Sequence, residues 1–195
     1  MSNLARFRSF IQDMTRAVER HGANEPRMLD EGEKLLRGLI AADDWLPEAF
    51  AAPSPEGYRQ YLLHCDPLER FSVVSVVLIP GQRTPIHDHT VWGLVGVMRG
   101  EETCEEYSND LKVSGKHPVA PGQVDRVSPR IGDIHVVANE GAKVAVSIHV
   151  YGGNIGAVRR HTYDAATGAP RDFVSGYANT TVPNLWDRSA EARAG

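Results

Sequence analysis

The chain has 195 residues, a net charge of -4 and 42% hydrophobic residues, enough for one well-buried core and most simply a single domain. That charge offers no basic field to nucleic acid, and no apolar run is long enough to cross a membrane. Cys65 and Cys104, the only cysteines, make no disulfide framework, and Met1–Arg20 is charged and amphipathic rather than a signal peptide, so the expected location is a reducing cytoplasm.

The first third reads as helical. Leu4, Phe7, Ile11, Met14 and Val18 recur at spacings of three and four, the signature of one buried helix face. His21-Gly22 ends that helix, Asn24 with Pro26 starts a second, and Leu29, Leu36 and Leu39 or Ile40 give it an apolar face. Asp43-Asp44, Pro47 and Pro53-Ser54-Pro55 then break the pattern. Nothing in this region carries chemistry.

From Tyr58 the character changes to short β-branched runs separated by Gly, Pro, Asn and Asp: YRQYLLHC, RFSVVSVVLIP, TVWGLVGVMRG, EETCEEYSN, DIHVVAN and KVAVSIHVYG. Such density predicts an antiparallel sandwich or barrel, not a parallel sheet with crossover helices. The expected division is N-terminal helices over 1–57, a β-barrel core over 58–165, and a C-terminal extension over 166–195 whose last residues, SAEARAG, read as a frayed tail.

Two stretches stand out within the barrel. In Gly81–Gly100, His87 and His89 stand two apart in a segment of strand-like composition, so both imidazoles share one face and can converge on a divalent metal. An isolated pair of this kind would more simply be surface histidines flanking Asp88. The second stretch, Gly132 to Asn139, carries His135; alone, that residue would read as a partly buried, hydrogen-bonded histidine.

The glycine frame changes the balance. Gly81, His87, His89 and Gly100 are spaced as in the first signature motif of the cupin superfamily, and Gly132, His135 and Asn139 as in the tail of the second, with Pro129 displaced by one residue. The glutamate that normally follows the histidine pair is absent, its places being held by Gly93 and Leu94. A third stretch, Ser147-Ile148-His149-Val150-Tyr151, puts three polar groups on one strand face, either as a buried relay or, in the opposite register, toward solvent.

Three histidines without a glutamate, together with Ser-x-His-x-Tyr, resemble the thiol dioxygenases of the cysteine dioxygenase family, most of all the bacterial 3-mercaptopropionate dioxygenases. The resemblance covers roughly Tyr58 to Arg160. It implies a cupin-type antiparallel β-barrel, or jelly roll. It also implies Fe(II) held by His87, His89 and His135, an outer relay of Ser147, His149 and Tyr151, and a small thiol and O2 as partners. Three neutral imidazoles leave the ion's charge uncompensated, which favours thiolate over thiol.

The same resemblance directs attention to the substrate's carboxylate. Animal-type members carry a cysteine, cross-linked to the relay tyrosine, where this chain has Gly93; Cys104 lies too far along to replace it. They also carry an arginine in an early Tyr-x-Arg, where Tyr58-Arg59-Gln60 places Gln60. Arg160, or its neighbour Arg159, is the expected carboxylate partner, with Gln60 on the opposite wall; a shift of one residue would instead restore Arg59. Trp92 is expected either as a pocket wall or in the core, and His21, His64, His117 and His161 as structural or exposed. Cysteine and mercaptosuccinate are alternative substrates, and a metal-dependent isomerase or a non-catalytic ligand-binding cupin are readings from other classes.

Overall fold

The computed structural model describes residues 4–194. Helices α1 (Leu4–His21) and α2 (Glu25–Ile40) form where the periodicity places them, each burying one apolar face. Asn24 caps α2 by accepting from the Arg27 N–H at 3.2 Å, and Pro26 lies in the first turn, where a missing N–H costs nothing.

The strands are β1 (Arg59–Cys65), β2 (Ser72–Leu78), β3 (Ile86–His87), β4 (Gly93–Arg99), β5 (Glu102–Tyr107), β6 (Val113–Val119), β7 (Val124–Val127), β8 (Ile134–Ala138), β9 (Ala145–Tyr151), β10 (Arg160–Tyr163) and β11 (Pro170–Phe173). They form two antiparallel sheets, one in the order β1-β2-β9-β4-β7 and the other β11-β10-β3-β8-β5-β6. Strands from the two halves of the chain alternate (β9 between β2 and β4, β8 between β3 and β5), which makes the barrel a double-stranded β-helix. This is the jelly roll expected of a cupin.

Strand β9 is central to its sheet and buried along its whole length. Val146, Ile148 and Val150 belong to the core shared with Phe7, Met14, Leu36 and Trp45, so both helices cover the outer face of the five-stranded sheet. Gly96 permits that approach: a Cβ there would lie 2.9 Å from Ile40 Cδ1 and 3.1 Å from Leu36 Cγ. The inner face of the same sheet points into the barrel, with Val74, Val76, Leu78 and Tyr151 packed together.

Several expectations change at this level. The expected strand through Thr90–Trp92 begins only at Gly93, and His89 lies just beyond the two-residue β3. Strands β6, β7, β10 and β11 lie outside the runs that the sequence marks as strands, β11 within the expected C-terminal extension. The region 166–195 contributes β11 to the six-stranded sheet and then returns across β1, where Asn179 Oδ1 accepts from Leu62 N at 2.8 Å. SAEARAG, read as frayed, holds a short helix, α3 (Ser189–Ala194).

Candidate metal centre

His87 on β3 stands directly opposite His135 on β8 in the sheet register. His89 completes the group from the following loop, and the three ring centroids are 4.8 Å apart in every pair. One nitrogen from each ring lies within 4.8 Å of the others, and all three residues are buried. The convergence expected from same-face alternation is therefore reached differently. A ladder holds His87 and His135, and a carboxylate holds His89.

That carboxylate, Asp133, had no sequence signal beyond its place next to the second motif. It accepts from His89 N at 3.1 Å and Thr90 N at 2.9 Å, pinning a turn in which Thr90 has a left-handed φ of 61°. It also faces His89 Nδ1 at 3.0 Å. Since a carboxylate only accepts, Nδ1 carries the hydrogen and Nε2 is left with its lone pair. His87 is fixed in the same tautomer by Pro85 O, 3.0 Å from its Nδ1, and the Nδ1 of His135 faces Cys104 Sγ at 3.6 Å.

His89 Nε2 is buried with no hydrogen-bond partner, the arrangement a metal would satisfy. Burial, reinforced by the nearby Arg160 guanidinium, lowers the pKa of His87 to about 4. Burial, followed by His87, holds His89 and His135 well below the ordinary histidine range. All three are thus neutral at physiological pH and free to act as ligands. The donor set fits a divalent first-row metal with open positions.

A second polar line reaches the group from β9. Ser147 Oγ is 2.8 Å from His149 Nε2, and His149 Nδ1 is 2.8 Å from the Tyr151 hydroxyl. The trio faces the barrel interior while its apolar neighbours lie under the helices, so neither face meets solvent. The Tyr151 ring stacks on His89 at 5.3 Å with an interplanar angle of 19°. Burial lowers the pKa of His149 to about 3 and raises that of Tyr151, keeping both neutral.

Gly93 lies against that tyrosine. A Cβ there would come within 2.8 Å of Tyr151 Cδ1 and of Val127 Cγ2, so the position has no room for a glutamate or cysteine while Tyr151 keeps its place. Trp92 packs with the helix-side core instead of walling the pocket.

The two adjacent arginines separate. Arg159 is exposed and paired with Asp172 at 2.8 Å. Arg160 is 3% exposed; its Nη1 donates to Asp88 O at 3.3 Å, its guanidinium lies 4.8 Å from the Phe173 centroid, and its Nε has no partner. Its charge acts on His87, His89 and His135, on Tyr151 and on Tyr58. Arg59 turns outward to Glu56 and Ser54. Gln60, expected on the substrate wall, directs its amide N–H groups to Ser175 Oγ at 3.0 Å and Gly176 O at 2.9 Å, so what it visibly holds is the C-terminal segment.

Asp88, between His87 and His89, accepts from His161 N at 2.7 Å and from the Tyr163 hydroxyl at 2.9 Å. It thereby fixes β10, and with it Arg160, against the histidine turn. Cys104, Glu106 and His117 form another close group, but His117 is already bonded to Asp125 at 2.8 Å and burial keeps the Cys104 thiol protonated.

No protein-family model matches the chain. Similar solved structures include the TT1209 protein from Thermus thermophilus, at 22% identity and TM-score 0.46 over 54% of this chain and 92% of that one. A double-stranded beta-helix protein from Klebsiella pneumoniae aligns at 18% identity and TM-score 0.48 over 58% and 93%. An oxalate oxidase in complex with the substrate analogue glycolate aligns at 20% identity and TM-score 0.46 over 58% and 60%. Likeness at this level says nothing of chemistry, and the fold assignment rests on the strand order. No helix among the described residues is long and apolar enough to cross a membrane.

Proposed function

We propose that this protein is a non-haem iron(II) thiol dioxygenase, adding both atoms of O2 to the sulfur of a small mercapto-carboxylate, 3-mercaptopropionate first, to give the sulfinate. His87, His89 and His135 would hold iron(II), which would supply the redox chemistry. The observation that carries the reading is Arg160. It is a buried cation with a free Nε beside three histidines whose converging donor atoms include no carboxylate, and among the described residues no carboxylate pairs with it.

A buried charge of this kind is costly until an anion meets it. A substrate carboxylate on Arg160 answers that cost and holds the rest of a short molecule over the histidines. Three neutral imidazoles would leave the metal's charge for a substrate thiolate to balance. Tyr151, kept as a phenol by burial, is oriented by His149 to donate toward the reacting groups. Cysteine is a poorer fit, since the acids beside the histidines are already engaged, Asp133 by His89 and Thr90 and Asp88 by His161 and Tyr163.

The test is oxygen uptake by the iron-loaded protein against 3-mercaptopropionate, cysteine and mercaptosuccinate, with metal analysis of the parent and His135→Ala. The expected result is one O2 consumed per sulfinate, highest efficiency with 3-mercaptopropionate, and loss of both iron and uptake in the variant. Full iron and uptake in His135→Ala, or a metal-dependent reaction without oxygen consumption, would overturn the assignment.

A further inference from the structure

Among the described residues, the buried side-chain atoms without a hydrogen-bond partner are His89 Nε2, Arg160 Nε and both carboxylate oxygens of Glu102. The first two fall to the metal and the substrate. Glu102 has no part in that scheme, although it is 1% exposed and stands at the start of β5 in the sheet facing β9. Neither oxygen is hydrogen-bonded as the side chains stand, and the Ser147 hydroxyl, the inner end of the relay, is the polar group that opposes the rise of its pKa.

We propose that Glu102 is a positioning residue that closes the relay: its protonation sets the direction of the hydrogen bonds through Ser147 and His149, and so whether Tyr151 presents a proton or a lone pair to the pocket. The argument is one of donors and acceptors. His149 stays neutral, so only one of its ring nitrogens carries hydrogen. With Glu102 protonated, its O–H donates to Ser147, Ser147 donates to His149 Nε2, and Nδ1–H donates to the Tyr151 oxygen. The phenolic hydrogen is then free for the pocket. When Glu102 loses its proton to solvent, Ser147 turns to donate to the carboxylate. Nε2–H donates to Ser147, and the Tyr151 O–H donates to Nδ1. One proton leaves and no charge appears on His149 or Tyr151.

The surroundings put this exchange in an accessible range. Burial raises the Glu102 pKa to about 7, Ser147 opposes the rise, and Asp125 on β7 adds to it. The other groups bearing on the carboxyl do not titrate nearby: Cys104 stays a thiol, Tyr151 a phenol and His149 a neutral ring. Asp125 is itself bonded to His117 on β6.

This inference rests on the thiol dioxygenase reading for its catalytic consequence only, because relay direction is measurable without turnover. In the metal-free full-length protein, nitrogen-15 NMR of His149 reports its tautomer directly. The expected result is Nδ1–H at low pH changing to Nε2–H between about pH 6 and 8. In both Glu102→Gln and Glu102→Leu the tautomer should be independent of pH. A purely structural Glu102 would change the melting temperature and leave the tautomer alone. A single His149 tautomer across the range in the parent, or an unchanged transition in Glu102→Gln, would overturn the proposal, whatever the oxygen assay gives. In the iron-loaded enzyme, the matching kcat inflection should vanish in Glu102→Gln with iron content retained.

Discussion

On one face of β9, Val146, Ile148 and Val150 pack beneath α1 and α2; on the other, each one residue along, Ser147, His149 and Tyr151 form a hydrogen-bonded line inside the barrel. Burial is equal on the two sides, so burial alone does not separate scaffold from site. What lies opposite does. The outer face meets helix side chains that offer no polar partner, and every residue on it is apolar. The inner face meets the six-stranded sheet and the loop after β3, which bring the three histidines, Arg160 and Glu102. Period-two alternation lets one strand serve stability on one side and chemistry on the other.

The largest expected effect breaks the outer face alone. Ile148→Ala leaves a cavity between β9 and the helices and should destabilise the protein by about 2–5 kcal/mol. Denaturant unfolding measures that loss, while iron content and the His149 tautomer should stay as in the parent under conditions where the variant is folded. Loss of metal in step with stability would show that the two faces are coupled through the backbone.

On the inner face, stability should respond to pH. Glu102 releases its proton near 7 when folded, against an ordinary value of 4.5. Between those values the folded chain holds a proton that the unfolded chain has lost. Its stabilising contribution is therefore fully present below about pH 4.5, declines as pH rises, and is gone above about 7, a total of about 3 kcal/mol. Other groups titrate as well, so the measurement is the difference between the parent and Glu102→Gln. That difference should shift in favour of the variant by about this amount from pH 4.5 to 8. A constant difference would mean the carboxyl is ionised throughout.

The sequence made some of this legible and hid the rest for physical reasons. Helix periodicity, the Asn24 cap and the histidine–glycine spacings are local, and they place both helices, the jelly roll and the three converging imidazoles. Strand β6 escaped notice because it is an exposed edge strand carrying Gly115 and Pro118, which edges tolerate and central strands do not. Asp133, Asp88 and Glu102 could not be assigned, since each acts across the barrel or a turn on residues remote in sequence, and an isolated acid reads as solvated. Arg159 and Arg160 are equivalent on paper. Only the start of β10 at Arg160, with Asp88 and Phe173 around it, sends that residue inward, while Arg159 just before the strand turns to Asp172.

Arg160 also gives the smallest and most discriminating test of the two-face contrast, because its cost and its use fall on different states of the protein. In Arg160→Met the apolar stem is retained and the charge removed. Without ligand the variant loses a contact with Phe173 and one long bond to Asp88 O, but sheds a buried, partly unsatisfied cation. Its stability should match or exceed that of the parent, unlike Ile148→Ala. With substrate the balance reverses. A charge-assisted bond contributes about 1.5–3 kcal/mol, so kcat/KM for 3-mercaptopropionate should fall by roughly tenfold to a hundredfold, chiefly through KM, with iron content unchanged. Arg159→Met, losing only an exposed pair with Asp172, should change neither quantity measurably. An unaltered KM in Arg160→Met would remove the carboxylate from the substrate reading. A stability loss as large as that of Ile148→Ala would make Arg160 scaffold, and the inner face of the barrel would then be held together by the same groups assigned to its chemistry.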